Sequence, residues 1–282
     1  MRTQSIDTPL EIERIQIARL RSFSSSRKFA SVRSWTRTLT YANMHAMHNH
    51  TIETSERDIA IRFVAREYGE ELAADFQADL EQRPGWTIQE PDLLMAMIPV
   101  IEVFEQLSVR YYLSGSIACS VYGFPRGAQD IDIVADMQIE DVSPFIERLR
   151  GSYTINEQAL HDAIQKRSVF SLLHVSSLIK MDVFLPHSRS SDSLALQRSQ
   201  QLPLLEGYHP LWIASPEDIV LMRLEWYLHS GATADDQWND ILGVLKVQAP
   251  NLNLVYLCDK ASTLNVSDFL EQALIDAGIR ES

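Results

Sequence analysis

In the stretch SGSIACSVYGFPRGAQDIDIVAD, Asp130 and Asp132 alternate with Ile131, Ile133 and Val134, in a segment otherwise patterned as a buried strand. Side chains two apart on a strand share a face, so the two carboxylates stand together while the isoleucines point the other way. Such a pair repels unless a positive charge lies between its members. A Mg²⁺ ion, or Mn²⁺ in its place, meets that demand, being hard and bound through oxygen. A third acid, Asp182, interrupts the apolar run LIKMDVFLP in the same way. Three strand-borne carboxylates on one sheet could hold one or two metal ions for in-line attack on phosphorus. The competing reading is a structural network in which Arg126 or Lys180 neutralises the acids.

Upstream, Gly115 and Ser116 lie between an expected strand and a short helix. Backbone N–H groups at such a helix start can meet phosphate oxygens. Glycine lets the backbone approach closely, and the serine hydroxyl adds a donor. Arg126, four residues before Asp130, could offset phosphate charge or brace the carboxylates.

The elements that must position these residues follow from periodicity and punctuation. Residues 8–82 read as helical, closing at Arg83-Pro84-Gly85. A helix is expected over 91–107, with a kink or restart at Pro99. VRYYLSG, QDIDIVAD, SVFSLLHV and SLIKMDVFLP read as strands; SIACSVYG, VSPFIERLR and NEQALHDAIQKR read as helices. From Ser215 onward the pattern is helical again. The expected class is α+β: a mixed β-sheet core with flanking helices, preceded by an all-helical N-terminal domain (1–84), forming a core over 85–214, and followed by a C-terminal helical region (215–282).

GSIACSVYGFPRGAQDIDI resembles the signature of the DNA polymerase β-like nucleotidyltransferase superfamily, in its minimal and abortive-infection type IV toxin branch. That signature has a Gly-Ser turn, a Tyr-Gly, an Arg and then Asp-x-Asp. IASPEDIVLMRLEWYLHSG and DDQWNDILGVLKVQ are similar to the helices that follow the core in that branch. The resemblance implies transfer of a nucleoside monophosphate from an NTP to an acceptor hydroxyl. It makes Asp130 and Asp132 metal ligands, and Asp182 the third ligand or the base. Gly115 and Ser116 would take the β- and γ-phosphates. It implies an RNA 3′ end such as that of tRNA as acceptor, a protein hydroxyl second, and an antitoxin as a partner. The chain departs from the pattern at Ala128, where Thr or Ser is usual, and at Arg223 and Asp236, where relatives often carry a Lys and another base. Two other functions stay open: a nucleotidyltransferase for a cationic small molecule such as an aminoglycoside, and a silent nucleotide- or partner-binding module.

Composition sets the outer limits. With 45% hydrophobic and 22% charged residues, the 282-residue chain can bury a sizeable core. No apolar run is long enough to span a membrane, and the first residues have no signal-like apolar region, so a cytoplasmic protein is expected. Cys119 and Cys258 form neither a disulfide framework nor a metal motif. Residues 1–50 carry eight Lys/Arg against three acids, a net +5, leaving −18 for the rest of a chain that totals −13. Docking of the basic segment on the acidic remainder is the simpler expectation; holding an RNA is the sharper one. HAMHNH brings His45, His48 and His50 together without a further ligand and is not expected to bind zinc. Trp226, Tyr227 and Trp238 are expected to pack in a core.

Overall fold

Every described element ahead of Tyr111 is a helix: α1 (Leu10–Ser22), α2 (Ser25–His48), α3 (Glu56–Tyr68), α4 (Glu70–Glu81) and α5 (Leu93–Gln106). The middle of the chain alternates: β1 (Tyr111–Leu113), α6 (Gly115–Tyr122), β2 (Asp130–Ala135), α7 (Val142–Leu149), β3 (Tyr153–Ile155), α8 (Glu157–Lys166), β4 (Val169–His174), β5 (Ile179–Phe184), α9 (Ser190–Arg198), β6 (Gln200–Leu202) and β7 (Leu211–Ile213). It ends in α10 (Pro216–His229), α11 (Asp235–Gln248), α12 (Leu254–Thr263) and α13 (Ser267–Asp276). The structure, a computed structural model, describes residues 3–4, 7–48, 55–186, 190–231 and 235–281. This is an α+β fold with mixed strands and flanking helices, helical before the first strand and after the last, as the sequence predicts.

Two compact units divide the chain, each assembled from stretches distant in sequence. One comprises Met1–Val32, Leu113–Arg126 and Gln197–Ser282; the other comprises Arg33–Tyr112 and Gly127–Leu196. The domain boundaries at 84 and 214 stand beside this division as a proposal from the sequence.

In the second unit the strand order is β3-β4-β5-β2, with β2 parallel to β5 and the other neighbours antiparallel. One face carries Ile131, Ile133, Met181, Val183, Phe170 and Leu172, all buried. It packs beneath α5 and α7, where the ring of Phe145 stacks on Phe104 and meets Phe170 edge-on. The opposite face is partly covered by α3 and α4, which place Phe63, Val64, Phe76 and Leu80 in one apolar cluster with Leu173, Val175 and Leu178. Trp86 joins this cluster and donates from its indole to the Val175 carbonyl at 3.1 Å. Burying such side chains stabilises by about 1.5–3 kcal/mol each, before ordering costs.

Pro99 neither breaks nor restarts α5, which runs unbroken from Leu93 to Gln106. The carbonyl that loses its donor to the proline is that of Met95. The Tyr153 hydroxyl lies 3.4 Å from it and 2.8 Å from the neighbouring Ala96 carbonyl, supplying a donor from β3.

In the first unit β7 pairs antiparallel with β6, and Leu113 lies in parallel register with Ile213 of β7. α1 docks on α11 through a buried ion pair, Lys246 Nζ to Glu13 Oε1 at 3.0 Å, and through Arg21, which donates to the Lys246 and Val247 carbonyls near the α11 C-terminus. A cation at a helix C-terminus is favourably placed. Part of the basic N-terminal segment is therefore used in docking. Trp238 is buried and Tyr227 packs between it and Phe269, as expected of core aromatics; Trp226 is exposed.

Candidate metal centre

The polar face of the second unit's sheet is built by two parallel strands in strict register: Asp130 opposite Lys180, Asp132 opposite Asp182, Val134 opposite Phe184. β4 extends the middle row with Ser171 opposite Asp182. The period-two alternation thus brings all three predicted acids to one face. One oxygen from each lies within 4.8 Å of the others, the one such cluster of three metal-capable side chains among the described residues. All three residues are half-buried.

Two neighbours hold Asp182 in place. Ser171 Oγ donates to Oδ1 at 2.5 Å, and Lys180 Nζ donates to Oδ2 at 2.7 Å. The same ammonium lies 3.8 Å from Asp130 Oδ2. Lys180 was foreseen as a partner of the acids; Ser171 could have been found only from the β4–β5 register, which pairs it with Asp182.

Tyr68, at the end of α3, closes one side of the cluster. Its hydroxyl lies 3.1 Å from the carbonyls of Gln129 and Leu178, the residues just before β2 and β5. Burial, reinforced by the negative charge of Asp130, pushes its phenol well above the ordinary range, so it stays a neutral donor. Lys180 Nζ lies 5.6 Å from the centre of its ring. Beside Tyr68 a hollow of about 150 Å³ opens between α2, α3 and Gly127–Gln129, lined by Leu39, Asn43, Phe63 and Glu67 among others. The Thr36 hydroxyl accepts from the Ala128 amide at 2.9 Å, so Ala128 serves this junction through its backbone.

The other sequence-predicted residues belong to the first unit. Gly115 opens α6 at φ +57°, a conformation that favours glycine. Ser116 is buried, and its Oγ has no hydrogen-bond partner. Arg126 forms a two-pronged pair with Asp240, Nε to Oδ1 at 2.8 Å and Nη2 to Oδ2 at 2.6 Å. Asp240 belongs to the QWNDI segment, so two motifs 114 residues apart are one contact. Arg223 also reaches Asp240, at 3.5 Å, and donates to Cys119 Sγ at 3.3 Å. Burial pushes the Cys119 thiol up to about 11, which suits an unreactive packing residue. The SPED segment caps α10: Ser215 Oγ accepts from the Asp218 amide, while Asp218 takes bonds from Arg198 and Tyr256. Asp236 lines a hollow of about 230 Å³ together with Arg126, Asp240 and Gln4.

Of the HAMHNH histidines, His45 packs edge-on against Tyr41, and residue 50 lies outside the described residues. No described helix is long and apolar enough to cross a membrane.

No family model matches the chain, and no curated protein matches it. Among solved structures it is similar to an antigenic nucleotidyltransferase-like protein from Paracoccidioides brasiliensis, at 15% identity and a TM-score of 0.36, over 60% of this chain and 91% of that one. It is also similar to the antibiotic-resistance factor ANT(2'')-Ia, at 11% identity and a TM-score of 0.36, over 65% of this chain and 94% of that one. Likenesses at this level carry no argument about activity, which must rest on the geometry of the carboxylates.

Proposed function

We propose that the chain is a divalent-metal-dependent nucleotidyltransferase that moves a nucleoside monophosphate from an NTP to an acceptor hydroxyl and releases pyrophosphate. The observation that carries this is the convergence of Asp130, Asp132 and Asp182 on one face, with oxygens within 4.8 Å. The donor set fits Mg²⁺ or Mn²⁺: three hard carboxylates, all partly open to solvent, on rigid strands. Bound there, such an ion would neutralise phosphate charge as the bond to the leaving group breaks.

The chain's own residues then have distinct tasks. The acceptor oxygen bonds to the α-phosphorus, the bond to the bridging oxygen of pyrophosphate breaks, and the hydroxyl proton passes to a carboxylate oxygen of Asp182. Ser171 holds that carboxylate through Oδ1 in one orientation, which favours a fixed attack geometry. Gly115 and Ser116 are assigned to the triphosphate by the sequence resemblance, and the orphaned Ser116 hydroxyl at a helix start supports an anion there. Arg126 is assigned to nucleotide binding on the same ground, with its guanidinium oriented by Asp240. The preferred acceptor is an RNA 3′ end, with a protein hydroxyl second; an antitoxin partner belongs to the same reading.

The test is label transfer from each of the four α-labelled NTPs, with Mg²⁺ or Mn²⁺, to tRNA, to total protein and to an aminoglycoside. Label in one acceptor class, lost in Asp130→Asn, is expected. NTP binding without transfer to any acceptor would leave the silent-module reading standing instead.

A further inference from the structure

Lys180 lies where its charge interferes with any cation entering the cluster. On β5 it is two residues before Asp182 and opposite Asp130, so its side chain shares their face. Its Nζ is 2.7 Å from Asp182 Oδ2 and 3.8 Å from Asp130 Oδ2, with the side chain 17% exposed. The first contact is a full charge-assisted hydrogen bond; the second is beyond hydrogen-bond range. The ammonium reaches two of the three carboxylates, and a point charge on a flexible four-carbon stem is a poor chelator. A divalent ion bound by the same oxygens gains more, yet it cannot share Asp182 Oδ2 with an ammonium at 2.7 Å without strong repulsion.

We infer that Lys180 is a displaceable counter-cation: it occupies the carboxylate cluster in the metal-free protein and must leave Asp182 for a divalent ion to bind. This rests on the metal reading above and adds a competition that the reading does not require. Lys180 would then lower metal affinity while protecting the metal-free fold from its own three like charges. Tyr68, whose ring is 5.6 Å from Nζ, offers the departing ammonium a nearby π face.

The experiment measures Mn²⁺ binding to the full chain by the loss of the free-ion EPR signal, together with Tm without metal. Lys180→Met is expected to bind Mn²⁺ roughly tenfold or more tightly than wild type. Its metal-free Tm is expected to fall by about 2–4 °C and to recover with Mn²⁺. Lys180→Arg, which keeps the charge, should retain the wild-type affinity. Independently, acetylation footprinting of the wild type should show Lys180 becoming more reactive when Mg²⁺ alone is added. Unchanged or weaker Mn²⁺ binding in Lys180→Met, or Lys180 reactivity indifferent to Mg²⁺, would overturn the inference. Failure of the metal reading looks different: the wild type and an Asp130→Asn/Asp132→Asn variant would then bind Mn²⁺ equally.

Discussion

Asp132 and Asp182 stand opposite each other in register across parallel strands β2 and β5. Like charges directly opposite on a sheet repel, an effect offset in part by Lys180 at Asp182, and removing one of the two charges relieves it. Asp132→Asn should therefore raise the Tm of the metal-free protein, by an amount equivalent to about 0.5–1 kcal/mol. The same variant should lose Mn²⁺ affinity at least tenfold and label transfer by about 10²–10³-fold. Calorimetry without metal and transfer kinetics with it check the two halves; an Asn variant less stable than wild type would show that Asp132 is structural.

His174 is buried and hydrogen-bonded through Nδ1 to Ser177 Oγ at 2.7 Å. Burial lowers it from 6.5 to about 4. The unfolded chain thus takes up the proton first as pH falls, and its folded stability is present above about pH 6.5 and lost on acidification toward pH 4. Between pH 7 and pH 4.5 the loss is about 2–3 kcal/mol. Urea unfolding at the two pH values should show that slope in the wild type and a flatter one in His174→Gln.

Tyr68 ties the entrances of β2 and β5 to α3 through one hydroxyl. Tyr68→Phe keeps the ring and removes that tie, costing about 1 kcal/mol. Faster amide exchange is expected at Gln129–Asp132 and at Leu178–Lys180. Uniform exchange across the second unit would mean that the hydroxyl positions nothing.

Glu13 and Lys246 form an ion pair whose side chains are 0% and 1% exposed. Glu13→Ala removes the carboxylate paired with the buried Lys246 ammonium and should cost about 3–5 kcal/mol. Glu13→Leu combined with Lys246→Met should recover most of that loss, because apolar side chains of similar size avoid the desolvation of both charges. Denaturant midpoints of the single and double variants give the comparison.

Elements with enough residues to show a period were legible: β2 and β5 alternate over six residues each, and α10 opens on its Ser-Pro cap. β3, β6 and β7 are three residues long, too short for alternation to register, and the sequence reading omitted them. α9 was also omitted. The restart allowed at Pro99 is absent for a different reason: the Tyr153 hydroxyl, more than fifty residues away, donates to the Ala96 carbonyl beside the orphaned one. No local rule contains that partner.

The sequence alone determined that Asp130 and Asp132 share a face and that Asp182 interrupts a second strand, because side-chain direction along a strand is a local property of the backbone. Only the tertiary structure decided that β2 and β5 are neighbours, parallel and in the register that sets Asp182 against Asp132. It alone placed Ser171 on the same row, Lys180 between two of the acids, Tyr68 at their side and Asp240 on Arg126. Those relations depend on strand order and on contacts between segments distant in the chain, which hydrophobic patterning favours but does not specify.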